Sequence, residues 1–226
     1  MTPSVCASIA ASTVQKTMRL LKKAEKNNAN LIEFRLDHLE KNYRMSDLIS
    51  STRLPRIATN RSANEGGKFR GEETNRVQSL LQAAEAGCEF VDLELAMENV
   101  GSIIRKAKRL GVQVIISYHD FQRTPDLQEL RRILEKQMNL GADICKIVST
   151  AKEQSDNLRI LEFVFNASRK TKVVSFAMGK LGVVSRVLSP IYGASFTFAS
   201  VERGAESAAG QLTLDEIKNA YRSMRL

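Results

Sequence analysis

Gly141-Ala-Asp-Ile-Cys-Lys-Ile-Val-Ser149 is a short apolar run with one lysine, Lys146, near its centre. It lies between two stretches of helical periodicity, residues 127–140 and 153–168. A run this apolar, flanked by helices, reads as a parallel strand buried on both faces. Burying an ammonium is costly, so a lysine there needs a partner or a use. The use that fits is desolvation of the amine, which favours its neutral form and lets it attack a carbonyl to form a Schiff base. The alternative is a strand-edge lysine with its stem on apolar surface and its head in water. The stretch alone leaves both open.

Working outward, the same alternation recurs. Upstream, strands are expected at residues 4–10, 31–37, 55–60, 89–95 and 112–118. Helices are expected at 13–26, 46–52, 72–86 and 98–110, the last two closed by Gly87 and Gly111. Downstream come strands at 172–177 and 194–198, a short helix near 181–188 and a terminal helix at 213–224. These make about eight strand–helix units of roughly 25 residues, which argues for closure into a parallel (β/α)8 barrel. No shift in composition marks a linker, so a single barrel domain over residues 1–226 is expected. An open doubly wound sheet is the competitor, and no Gly-x-Gly-x-x-Gly follows the first strand to support its dinucleotide-binding form.

Strand alternation adds chemistry. In residues 31–37, Ile32, Phe34 and Leu36 share one face while Glu33, Arg35 and Asp37 share the other. In residues 91–95, Val91, Leu93 and Leu95 oppose Asp92 and Glu94. If helices cover the outside, the apolar faces meet them and the charges point into the lumen. A half-exposed antiparallel strand alternates in the same way, but the flanking helices argue against it. Charges inside a barrel must be paired, and barrel enzymes work at the C-terminal ends of their strands. The same parity turns Lys146 inward. His119 closes the preceding strand, where a proton shuttle would serve iminium chemistry. His38 has no comparable setting and reads as surface or loop packing.

Composition limits the partners. The net charge is +9, which suggests an anionic partner. The basic residues are scattered over helices, without a binding module or aromatic interleaving, so nucleic acid is not expected. No apolar run nears the ~20 residues that cross a bilayer, and no secretory leader is legible, so no membrane and a cytoplasmic location are expected. Cys6, Cys88 and Cys145 read as buried free thiols. With two histidines and no Cys-x-x-Cys, no metal site is expected.

Six motifs in order then resemble the type I 3-dehydroquinate dehydratase family. They are Glu33-Phe-Arg-Leu-Asp37, Thr59-Asn-Arg61 with Glu65-Gly-Gly, Ser117-Tyr-His-Asp-Phe121, and Asp143-Ile-Cys-Lys-Ile147. Met178-Gly-Lys-Leu-Gly-Val-Val-Ser-Arg186 and Ser207-Ala-Ala-Gly-Gln211 complete the series. The resemblance runs from about Val5 to Leu214 and implies a cofactor-free barrel, a homodimer, that converts 3-dehydroquinate to 3-dehydroshikimate in the shikimate pathway. By position it implies Lys146 as the Schiff-base nucleophile, His119 as general base and acid, and Glu65 as the carboxylate orienting that histidine. Glu33, Arg35 and Arg61 would hold substrate hydroxyls, and Arg186 the carboxylate. Ser207 and Gln211 would reach in from a lid at about residues 200–210, and Met178 would line the pocket. The family often has proline where Ala209 stands, which implies a looser lid.

Two other readings compete. A class I aldolase also uses a late-strand lysine, and Gly179 and Gly182 imitate its phosphate loop. A non-catalytic basic barrel would instead bind nucleic acid in a salt-sensitive way and form no imine.

Overall fold

Eight strands, all parallel, lie side by side in the computed structural model, which describes residues 3–40 and 43–226. The strands are β1 (Val5–Ile9), β2 (Leu31–Arg35), β3 (Arg56–Thr59), β4 (Phe90–Glu94), β5 (Gln113–His119), β6 (Ile144–Thr150), β7 (Val173–Met178) and β8 (Thr197–Ser200). Each precedes its helix: α1 (Val14–Lys26), α2 (Met45–Ile49), α3 (Glu73–Glu85), α4 (Val100–Arg109), α5 (Leu127–Asn139), α6 (Ser155–Ala167), α7 (Val183–Leu188) and α8 (Leu214–Ser223). Neighbours in sequence pair from β1 to β7, and β1 also pairs with β8 in register Val5–Thr197 to Ser8–Ser200. At the remaining seam, before β8 begins, the Ser195 N–H donates to the Val173 carbonyl at 2.8 Å. The result is a nearly closed (β/α)8 barrel.

Local chemistry starts the helices where a capping residue allows. Thr13 accepts from the Lys16 N–H, Asp126 from the Glu129 N–H, and Thr213 forms a reciprocal capping box with Glu216. Such caps contribute about 1 kcal/mol each. Outward-facing strand residues such as Ile32, Phe34, Val91, Leu93, Val114 and Ile116 pack under the helices in one continuous core. Each fully buried aliphatic side chain there contributes about 1.5–3 kcal/mol.

The inward faces stack in layers of four from alternate strands, as tilted barrel strands require. Leu31, Phe90, Ile144 and Phe196 form the floor, and Cys6, Ile57, Ile115 and Val174 lie above it, all within one inner apolar cluster. Following the strand registers by the same step, the next even-strand layer is Glu33, Asp92, Lys146 and Phe198. Three of its four members are ionisable, where branched apolar residues usually sit.

Several boundaries differ from the sequence expectation. The second strand stops at Arg35, not Asp37, because Leu36–His38 turns into a 3-10 helix. That turn brings Asp37 back onto Arg35 rather than along the strand. The last strand runs from Thr197 to Ser200, starting three residues and ending two residues later than expected, since Ser195 meets only the first residue of β7. The fourth helix begins at Val100, after Asn99 in a left-handed conformation (φ 54°). The three cysteines are free and buried, as expected. No helix among the described residues is long and apolar enough to cross a membrane.

Candidate active site

One pocket of about 520 Å³, its open mouth included, is lined by the nine polar and charged residues singled out from the sequence and by Met178. The nine are Glu33, Arg35, Arg61, Glu65, His119, Lys146, Arg186, Ser207 and Gln211. Phe121, Val148, Phe176, Met178 and Phe198 supply much of its apolar wall.

Lys146 sits in the ionisable layer and is 5% exposed. Its Nζ donates to Asp92 Oδ2 at 2.9 Å, lies 3.9 Å from Glu33 Oε1, and stands 4.4 Å over the centre of the Phe198 ring. From outside the barrel, Gln137 of α5 donates to the carbonyls of Lys146 (2.9 Å) and Ile116 (3.0 Å), pinning β6 to β5 at this point. The sequence reading invoked burial around the lysine; the structure adds two carboxylates.

Asp92 gathers three donors. Arg61 Nη2 (2.9 Å) and Ser117 Oγ (2.6 Å) both donate to its Oδ1, while Lys146 takes Oδ2. Burial alone would raise this carboxyl, but Arg61 and Lys146 outweigh it and hold it well below the usual carboxylate range. Glu33 accepts from Thr59 (2.9 Å) and from Ser8, whose hydroxyl is also 3.1 Å from that of Ser207. Arg35 makes a fork with Asp37 at 2.9 and 2.7 Å, and Asp37 also accepts the Lys68 N–H at 3.0 Å. His38 lies 3.6 Å from Asp37; burial pushes its imidazole down to about 4, consistent with loop packing.

His119 ends β5. Its Nδ1 is 3.0 Å from Glu65 Oε2, in the 3-10 turn Ala63–Glu65 after β3. Burial first, then Arg61 and Lys146, hold the imidazole well below its ordinary value. Burial raises Glu65 to about 7 against the opposing pull of Arg61. The loop that carries Glu65 is itself anchored: Glu94 accepts from the Ser62 N–H (2.9 Å) and hydroxyl (3.0 Å) and pairs with Arg76 at 2.9 Å. Phe121 stacks with the His119 ring (centroids 6.0 Å apart, 17° between planes) and fills the space beside Gly66. At Gly66, φ is +75° and a Cβ would lie 2.6 Å from Phe121, so glycine alone fits.

Arg186, on α7, is 1% exposed, and its Nε and Nη2 have no hydrogen-bond partner among the described residues. The guanidinium lies 4.2 Å over the Phe176 ring, and burial pushes it down to about 9. A buried cation without a carboxylate is expensive, and it points to an anion supplied by a ligand. The loop after β8 closes the opposite side. Gln211 Oε1 accepts from the Ser207 N–H (2.7 Å) and hydroxyl (3.2 Å), and the Ala209 carbonyl accepts from the Gly179 N–H at 3.1 Å.

The sequence reading placed Asp92 and Glu94 inward but assigned them no part in the site; it quoted Thr59 and Ser117 only as motif positions and passed over Ser8 and Phe198. Inward parity was the signal for Asp92 and Glu94, and motif position that for Thr59 and Ser117. Their partners lie 25 or more positions away in the chain.

A parallel barrel with a lysine, a histidine and several carboxylates converging near the C-terminal ends of its strands defines a barrel enzyme. Comparison with known proteins narrows this. The family model for type I 3-dehydroquinase matches residues 5–226. The 3-dehydroquinate dehydratase of Methanosarcina barkeri is 38% identical over 223 residues, covering 94% of this chain and 92% of that one. The enzyme of the same name from Methanocaldococcus jannaschii is 34% identical, covering 98% and 99%. Among solved structures, the 3-dehydroquinate dehydratase of Geobacillus kaustophilus superposes with a TM-score of 0.88 at 25% identity, covering 99% of this chain and 91% of that one. The type I enzyme of Clostridium difficile, solved with covalently modified comenic acid, gives 0.88 at 25%, covering 98% and 92%. The chain belongs to the type I 3-dehydroquinase family, and is therefore an enzyme of the hydro-lyase class.

Proposed function

We propose that this chain, as a single catalytic barrel, dehydrates 3-dehydroquinate to 3-dehydroshikimate through a Schiff base on Lys146, as a step of aromatic biosynthesis in the cytoplasm. The observation that carries the reading is the buried Lys146 at the base of a pocket that also holds His119 and the unpartnered Arg186. Family membership supports the substrate.

The Lys146 ammonium gives one proton to His119, and the freed amine adds to the substrate ketone. The ketone oxygen leaves as water with two of the ammonium hydrogens, and the nitrogen becomes an N–H iminium. That cation withdraws electrons from the neighbouring carbon–hydrogen bond. His119 takes the proton, the bond pair forms an enamine, and the nitrogen is neutralised. The enamine then expels the β-hydroxyl, which receives the proton from His119 and departs as water. Hydrolysis of the regenerated iminium consumes one water and frees the lysine, so the net change is loss of one water.

Arg186 receives the substrate carboxylate, where its planar fork suits two oxygens. Glu33, Arg35 and Arg61 face the ring hydroxyls, with Ser207 and Gln211 closing above. Glu65 selects the tautomer of His119. Residues of the chain supply every group in this scheme, and no cofactor takes part. In this reading the chain works as a homodimer. Incubation with 3-dehydroquinate tests the function: the product's conjugated enone absorbs in the ultraviolet, and no rise in absorbance would contradict the proposal.

A further inference from the structure

We infer that Asp92 is a catalytic residue, with its Oδ2 as the counter-ion that keeps the nitrogen of Lys146 protonated while it is an imine. The inference rests on the Schiff-base reading and deepens it. An unprotonated imine is a weak electron sink; the neighbouring carbon–hydrogen bond becomes acidic only when the nitrogen carries its proton. In a dry site, burial works against that charge. A fixed carboxylate at contact distance works the other way, and its effect is large where water is excluded.

Asp92 is built for this. It is 2% exposed, and its Oδ1 is occupied by Arg61 and Ser117, which fix the carboxylate plane. Among the described residues, Oδ2 receives only Lys146 Nζ, at 2.9 Å. Glu33 is the other candidate, but it stands 3.9 Å away and its two oxygens already accept from Ser8 and Thr59. Among the described residues, the remaining ionisable groups facing this point are Arg35 from β2, Arg61 and Glu65 from beyond β3, Glu94 from β4 itself, His119 from β5 and Arg186 from α7. Cys6 of β1 lies beneath, its thiol raised well above the ordinary value by burial and held neutral.

Charge balance supports the assignment. Converting the ammonium to an iminium leaves one positive charge on the same nitrogen, so the pair with Asp92 survives carbinolamine collapse. In the enamine the nitrogen is neutral but keeps its hydrogen, and Oδ2 can still accept it. The charge returns when the hydroxyl leaves.

Borohydride reduces the protonated iminium, so trapping reports the state in question. The full chain is incubated with 3-dehydroquinate and borohydride over a pH series, and the Lys146 peptide is quantified by mass spectrometry. The parent protein should label from mildly acidic to mildly alkaline pH. Asp92→Asn should label only on the acid side, with kcat at neutral pH down by roughly a hundredfold or more and KM within a few-fold. Asp92→Glu should recover part of both. If neither variant folds, the C=N stretch of the parent complex should shift in D2O up to mildly alkaline pH, as a nitrogen-bound proton requires. Labelling and kcat of Asp92→Asn equal to the parent at neutral pH, or no D2O shift, would overturn the role of Asp92 and leave the Schiff base standing. No label in the parent protein would overturn the Schiff base, and this inference with it.

Discussion

The Nδ1 of His119 lies 3.0 Å from Oε2 of Glu65, joining the last residue of β5 to the loop after β3. Glu65 is held near 7 by burial, so it is protonated below that value and ionised above it. Ionised, it accepts from Nδ1–H and leaves Nε2 free to act as base; protonated, it donates to Nδ1 and fixes the wrong tautomer. The turnover number should therefore rise as pH climbs through about 7. Glu65→Gln, which can accept but not ionise, should lower kcat and flatten that limb. A pH–rate profile checks this, and an unaltered acid limb in the variant would remove Glu65 from the tautomer's control.

Replacing the base itself separates binding from chemistry. His119→Ala should keep the ketone-binding lysine but lose about 10²–10⁴-fold in kcat. Steady-state kinetics alongside borohydride trapping checks both halves. Full turnover in this variant would take His119 out of the scheme.

Arg186 combines a functional gain with a cost in stability. Its Nε and Nη2 have no hydrogen-bond partner among the described residues, a state that costs the folded protein several kcal/mol. Arg186→Met should raise KM by about 10- to 100-fold, as the loss of a charge-assisted contact does. The same change should raise Tm by about 2–4 °C, because the uncompensated charge is gone. Kinetics and thermal melting on one preparation read both effects; a fall in Tm with unchanged KM would mean that Arg186 is structural.

The lid can be probed at Gly210. Its φ is +71°, and a Cβ there would stand 2.3 Å from the Gly179 carbonyl oxygen. Gly210→Ala should therefore lift residues 207–211 off the end of β7, lowering kcat/KM by about tenfold, equivalent to roughly 1–2 kcal/mol of backbone strain. The barrel melt should hardly change, since the loop packs few core residues. An unaffected kcat/KM would show that closure does not depend on this contact.

Much of the architecture was legible before any coordinates. Alternating charge in Glu33-Phe-Arg35 and Asp92-Leu-Glu94 turned those residues inward, and helices between the strands required a covered parallel sheet. The strand-2 boundary was not legible, because Leu36-Asp-His38 continues the alternation while its backbone turns. The turn sets Asp37 against Arg35, a contact between side chains two residues apart that the alternation does not encode. The residues of the site came from motif order, and the structure brings all nine to one pocket. Asp92 and Ser8 escaped for a physical reason. Their significance is pairwise, with Lys146 54 residues and Glu33 25 residues away, and a strand pattern fixes a face but not a partner.

The nucleophilic role of Lys146 is most directly tested by reducing the complex with 3-dehydroquinate using borohydride and mapping the adduct by peptide mass analysis. The expected result is irreversible loss of activity and a single substrate-derived adduct on the peptide containing Lys146, absent from Lys146→Ala. Inactivation without that adduct, or full activity in Lys146→Ala, would contradict the account.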